Sequence, residues 1–188
     1  MPRPSLLGQA GVTLAEMLVA TAVMALTASI AIPNAAPLVA INKDATTTEI
    51  IRAIRFAQRE AIRTGAWHTV RIDTTTQTLR VYRMTMSGTV SEDTSIPVLH
   101  PIDKRKYDQA FGAGSNAPGT IALVDFDYES GGNTNLNTLS FGPDGTPGLL
   151  TGRKAGDVKS MQAGKVSIRY GSQQRDLAID VVTGRVSG

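Results

Sequence analysis

Glu16 is the one ionisable side chain in a 21-residue run from Val12 to Ile32, VTLAEMLVATAVMALTASIAI. A carboxylate inside a membrane helix costs roughly 2.5–3.5 kcal/mol on insertion scales, so such a group is by default functional and needs a partner. A second constellation is Arg52, Arg55, Arg59 and Arg63, whose spacing suits a charged helix face. That face can be a solvated one softened by Glu60, a contact for acidic neighbours, or a contact for nucleic-acid phosphates. A third is Asp125, Asp127 and Glu129, whose oxygens could hold calcium beside the polar loop 130–138. Acids alternating along a strand are more often its wet face. His68 and His100 are the only histidines, too few for a histidine-rich metal centre, and His68 beside Trp67 reads as a packed or edge residue. The chain has no cysteine, which removes disulfides, thiolate nucleophiles and cysteine-ligated metals. No Gly-x-Ser-x-Gly elbow, Gly-x-Gly-x-x-Gly or P-loop occurs. The expectation is a protein with no catalytic residue, no metal and no cofactor.

These residues need elements to hold them. As a helix, Val12 to Ile32 would measure roughly 31 Å, matching a bilayer core of about 30 Å. Arg3 and the initiator amine are the positive charges before it, and no lysine or arginine follows until Lys43. That asymmetry places the N-terminus in the cytoplasm and the rest outside, a single-pass topology. A secretory signal peptide cut near Ser29-Ile30-Ala31, releasing a soluble β protein, and a plain signal anchor are the competing readings. Glu16 argues against both.

A second helix is expected to restart after Pro37 and run to Thr64, with Gly65 as its stop. On a wheel of about 100° per residue, Arg55, Arg59 and Arg63 fall within about 60° of Arg52, while Ile50, Ile54, Ala57 and Ala61 lie about 140–200° away. The apolar stripe must pack on something, most simply a sheet. From 66 onward the period becomes two. His68, Val70 and Ile72 alternate with polar residues, as do Leu79 and Val81, which reads as a hairpin across Thr74–Gln77. Val124, Phe126 and Tyr128 share one face of a strand, opposite Asp125, Asp127 and Glu129. Val166, Ile168 and Tyr170 are expected to pair with Leu177, Ile179 and Val181 across Gly171–Gln174. Residues 84–120, with Pro97, Pro101, Pro118 and the run Asp103–Lys106, read as long surface loops around at most a strand or two. The fold class is therefore α+β: a long N-terminal helix, half transmembrane and half amphipathic, packed on an antiparallel β-sheet or β-sandwich.

Length and charge fit this division. The 188 residues suffice for one domain with a real core, and 41% hydrophobic with 19% charged residues excludes a wholly disordered chain. The net charge of +3 is unevenly spread. Residues 43–83 hold eight basic and four acidic groups, 84–152 three and eight, and 153–188 seven and three.

Gly11-Val12-Thr13-Leu14-Ala15-Glu16 resembles the type IV pilin signature, in which a peptidase cuts after the glycine and the fifth mature residue is glutamate. Pro33 stands where pilins of this class carry a helix-kinking proline. Arg52 through Arg63, Ser140-Phe141-Gly142-Pro143-Asp144-Gly145, Arg175–Val182 and Thr183-Gly184-Arg185-Val186 resemble the GspH/FimT family of minor pilins and pseudopilins. The resemblance implies a leader over 1–11, a transmembrane and filament-core helix over 12–42, and a periplasmic domain over 43–188 (amphipathic helix 43–64, β domain 66–188). It implies cleavage between Gly11 and Val12 by prepilin peptidase, N-methylation of Val12, and a charge pair between Glu16 and the Val12 amine of a neighbouring pilin. The implied function is a structural, assembly-initiating subunit of a type II secretion pseudopilus or type IV pilus. The alternative is a DNA-uptake pilin binding double-stranded DNA through Arg52, Arg55, Arg59, Arg63 and Arg185. DNA-binding members carry a C-terminal Gly-Arg-x-Arg motif; this chain keeps Gly184 and Arg185 and has Ser187 in place of the second arginine.

Overall fold

A computed structural model describes residues 13–31, 35–85, 90–129, 136–152 and 157–188. The chain divides into two units, one ending at Pro37 and the other spanning Leu38–Gly188.

Helix α1, Leu14–Ala31, contains neither glycine nor proline. Its start is capped by Thr13, whose Oγ1 accepts from the Glu16 backbone N–H at 3.3 Å. Thr-x-x-Glu is the spacing of a capping box, so Glu16 occupies a position where a carboxylate favours a helix start. Inside the helix the Thr21 and Thr27 hydroxyls donate to the carbonyls of Met17 and Val23, each at 3.0 Å, which satisfies them without an outside partner. Leu14, Met17, Leu18, Val19, Val23, Met24 and Leu26 are all exposed. Among the described residues, no helix is long and apolar enough to cross a membrane.

Helix α2, Ala35–Thr64, begins two residues before Pro37 rather than after it. A proline in the first turn is tolerated because the N–H it lacks would have had no acceptor there. From Thr46 on, the inward face is Thr46, Ile50, Ala53, Ile54, Ala57 and Ala61, all 0% exposed.

The rest is antiparallel β structure: β1 His68–Asp73, β2 Thr78–Thr85, β3 Ser91–Glu92, β4 Asp108–Ala110, β5 Thr120–Tyr128, β6 Thr138–Phe141, β7 Pro147–Leu150, β8 Val158–Tyr170, β9 Gln173–Ile179 and β10 Val186–Ser187. The network runs β10-β9-β8-β7-β6-β1-β2-β3, with β4 paired to β2 and β5 to β8. The long β8 joins two arrays: its start pairs with β7, and its remainder lies between β5 and β9. The α2 stripe shares one core with Val70, Ile72 and Leu79 of the first array and with Phe126, Val166, Ile168 and Leu177 of the second. Each such side chain withdrawn from water contributes about 1.5–3 kcal/mol before entropy is counted.

Two further expectations change. The last hairpin is tighter than its sequence suggests: Tyr170 pairs with Gln173, Ile168 with Arg175 and Val166 with Leu177. Gly171, at φ 54°, lets two residues close the turn. Ile179 then pairs with Val186 of β10, and Val181 is left in an exposed turn. The segment 84–120 has little regular structure, as expected, yet Val98, Tyr107, Phe111 and Ala117 from it are buried in the core.

Candidate interaction surface

The arginine stripe forms as the periodicity demands. Arg52, Arg55, Arg59 and Arg63 are all exposed, on the side of α2 away from the core. Arg63 is held by Glu60 in a two-pronged ion pair that lowers the glutamate's pKa and raises the arginine's. Arg59 Nε donates to the Arg55 carbonyl at 3.3 Å. Arg52, Arg55 and Arg59 make no ion pair among the described residues. Like charges three and four residues apart on a helix repel by a few tenths of a kcal/mol each, so the stripe is no aid to folding.

Gln58 brings the C-terminal motif to this helix. Its Nε2 donates to Gly145 O at 2.8 Å and to Thr183 O at 2.7 Å. The turn from Asp180 to Arg185 is rigid in itself. Asp180 Oδ1 accepts from Thr183 Oγ1 (2.7 Å), Thr183 N (2.7 Å) and Val182 N (3.2 Å), and these bonds, the Thr183 hydroxyl's first, hold its carboxyl below the usual range. Gly184, at φ 67°, has room for no side chain: a Cβ there would lie 2.5 Å from the Phe141 ring and 3.4 Å from Gln58 Nε2. Arg185 is exposed and follows directly. The fold thus fastens the turn that carries Arg185 to Gln58 of α2, a link across 125 residues of sequence that no local pattern announces.

Of the remaining sequence-derived residues, Glu16 is exposed in the first turn of α1. Gly11, Val12 and Pro33 lie outside the described residues. Asp125 and Asp127 project from the outward side of β5, opposite buried Val124, Phe126 and Tyr128, and Glu129 follows the strand. Among the described residues no three His, Asp or Glu side chains are placed to hold a metal. His68 is 1% exposed, and burial lowers its pKa; its Nδ1 lies 3.0 Å from Ala66 O.

One cluster has no signal in the sequence. Glu49 and Arg52 of α2 line a cleft of about 630 Å³ with His100, Ile102, Asp103 and Gln109. Tyr107 donates its hydroxyl to Glu49 Oε1 at 3.3 Å, and burial, with Glu49 next, pushes its pKa well above the ordinary tyrosine range. His100 Nε2 stands 3.9 Å from Glu49 Oε1, and His100 Nδ1 is 3.2 Å from Asp103 Oδ1 but off the hydrogen-bonding line. The pairs Glu49/Arg52 and His100/Asp103 are each three residues apart, but nothing in the sequence joins one pair to the other.

No family model matches the chain, and no curated protein does. Among solved structures, the chain is similar to the minor pseudopilin EpsH from the type 2 secretion system of Vibrio cholerae, at 16% identity and a TM-score of 0.42 over 77% of this chain and 94% of that one. It is also similar to the type IV minor pilin FimU of Pseudomonas aeruginosa, at 15% identity and a TM-score of 0.41 over 77% and 86%. At these scores the likeness assigns no function.

Proposed function

We propose that the chain is a pilin-like structural subunit of a pilus or pseudopilus, built into a helical filament through α1. The observation that carries this reading is α1 itself. Seven large apolar side chains stand exposed on it, with Glu16 as its one carboxylate. An apolar surface of that extent marks a contact with lipid or with other chains. Before assembly α1 would reside in the inner membrane, N-terminus in the cytoplasm and the Leu38–Gly188 unit in the periplasm. Prepilin peptidase would remove residues 1–11, and the new Val12 amine would be methylated. In the filament the Glu16 carboxylate would meet the Val12 ammonium of a neighbour, turning a buried charge into a buried pair that fixes register. Service at the tip, starting assembly of a type II secretion or type IV pilus filament, is the role this reading gives the subunit.

Intact mass of protein purified from membranes tests it. The expected mass is that of the chain from Val12 carrying one methyl group. A mass beginning near residue 32 would instead mean signal-peptidase release of a secreted β protein, and would sink the proposal.

One observation favours a second reading, capture of duplex DNA: the Gln58 tether that fastens the Arg185 turn to the helix carrying Arg55 and Arg59. Phosphate contacts would make affinity fall with salt at a log–log slope of about −0.9 per neutralised phosphate. Titrating duplex DNA at several salt concentrations, with Arg185→Ala alongside, decides it; no binding at low salt retires this reading.

A further inference from the structure

Two outward rows in the Leu38–Gly188 unit share a pattern and are opposite in sign. On α2 the row is Ile62, Arg59, Arg55, Arg52; on β5 it is Leu123, Asp125, Asp127, with Glu129 just past the strand. Each starts with an exposed aliphatic side chain, Ile62 at 55% and Leu123 at 45%, and continues into three like charges. Helical rise sets the first row at steps of about 4.5 and 6 Å. Strand rise sets the second at about 6.6 Å. Long arginine side chains span a mismatch of that size.

The rows do not satisfy each other within the chain. No ion pair joins them among the described residues. Both turn away from the core, since α2 buries Ile54 and Ala57 and β5 buries Val124 and Phe126. Lys165 stands across the ladder from Asp125 but is bound to Asp176 at 2.7 Å. Asp125 and Asp127 are half-buried on that side, and the Oδ1 of each is covered and has no hydrogen-bond donor among the described residues. Some other charges of the described surface are paired, as in Arg80–Glu92, Arg83–Asp93 and Arg63–Glu60.

We propose that the α2 row of one copy seats on the β5 row of a second copy, arginines on carboxylates and Ile62 toward Leu123. Different patches meet, so the contact is heterologous and joins two copies head to tail. The aliphatic ends favour protein over nucleic acid, because a phosphate backbone gains nothing from Ile62. This deepens the filament reading by naming a subunit contact that makes no use of α1.

The absence of cysteine permits a clean test on the full-length chain in detergent micelles. An Arg59→Cys chain is mixed with an Asp127→Cys chain under a glutathione redox couple; the control pairs Arg59→Cys with Ser172→Cys at the exposed hairpin tip. The mixed disulfide should exceed the control by at least about tenfold, a preference of about 1.4 kcal/mol. It should fall as salt shortens the screening length from about 10 Å at 0.1 M to about 3 Å at 1 M. Adding Arg55→Glu to the first chain should remove the excess, and Asp125→Arg in the second should restore it. A yield equal to the control, or no restoration, overturns the proposal. So does an Arg55→Glu chain that loses duplex DNA while its disulfide yield is unchanged, since the stripe would then serve nucleic acid. Glu16→Ala chains should crosslink as well as the parent; a lower yield would place the association in α1 and also overturn it. A chain that crosslinks normally but carries the wrong mature N-terminus removes the filament reading alone.

Discussion

Gln58 sits among exposed arginines yet its amide reaches two backbone carbonyls from two separate turns, and these bonds decide where Arg185 stands. Replacing it with alanine leaves both carbonyls without this donor, at about 1–3 kcal/mol if water does not take its place. Gln58→Ala should therefore lower the unfolding midpoint measurably, and Gln58→Glu, which keeps the length but loses the donor, should do the same. Equal midpoints for all three proteins would show that the tether is not made. His68 offers a pH test. Burial lowers its pKa, so between that value and the ordinary histidine range near 6.5 the unfolded chain binds a proton that the native state refuses. Stability is then full above about pH 6.5 and falls as the pH drops below it. Urea midpoints at pH 7.5 and pH 5 should show the loss, and His68→Gln should flatten the part of it due to this residue. Glu16 has two local roles to separate, a helix cap and a charge for a neighbour. Glu16→Gln keeps much of the capping geometry but removes the charge, so it should leave α1 helical by circular dichroism and abolish incorporation into filaments. Normal incorporation would refute the paired-charge mechanism.

At the scale of elements, the parts that could be read from the sequence are those in which a period repeats. Ile50, Ile54, Ala57 and Ala61 recur at helical spacing opposite the arginines, and the chain buries them as that spacing requires. Val70, Ile72, Leu79 and Val81 alternate, and β1 and β2 pair in register with Val70 facing Val81. Where apolar residues stand singly the reading fails. Val98, Tyr107, Phe111 and Ala117 lie between prolines, glycines and a charged run, so their burial depends on partners distant in sequence. The cleft around Glu49 and His100 was illegible for the same reason. Gln77 shows a local rule overridden by such partners. Its φ of 53° is a glycine-like conformation, costing roughly 1–2 kcal/mol, yet its amide clasps Ile121 of β5, donating to the carbonyl at 3.0 Å and accepting from the N–H at 2.7 Å. Gln77→Gly relaxes the backbone and loses the clasp. If the clasp outweighs the strain, the variant unfolds at a lower midpoint by about 1 kcal/mol; a more stable variant would show that the strain dominates.

At the scale of the whole molecule, the buried apolar cluster of the Leu38–Gly188 unit is drawn, among the described residues, from position 50 onward. Apolar burial is the dominant favourable term in folding, so a unit that contains all of its own buried cluster should not need α1 to fold. A chain beginning at Leu38 should unfold in one cooperative step at the same urea midpoint and slope as the full chain held in detergent. The single tryptophan makes the comparison direct, because Trp67 is 8% exposed and its fluorescence reports on this unit alone. The slope matters as much as the midpoint, since it scales with the surface exposed on unfolding. An equal midpoint with a smaller slope would mean that the shortened chain starts from a looser state, and that α1 completes the core. An equal midpoint and slope would leave α1 with no part in folding. Its exposed apolar side chains, which burden any chain that stands alone in water, would then have to be explained by what the chain joins.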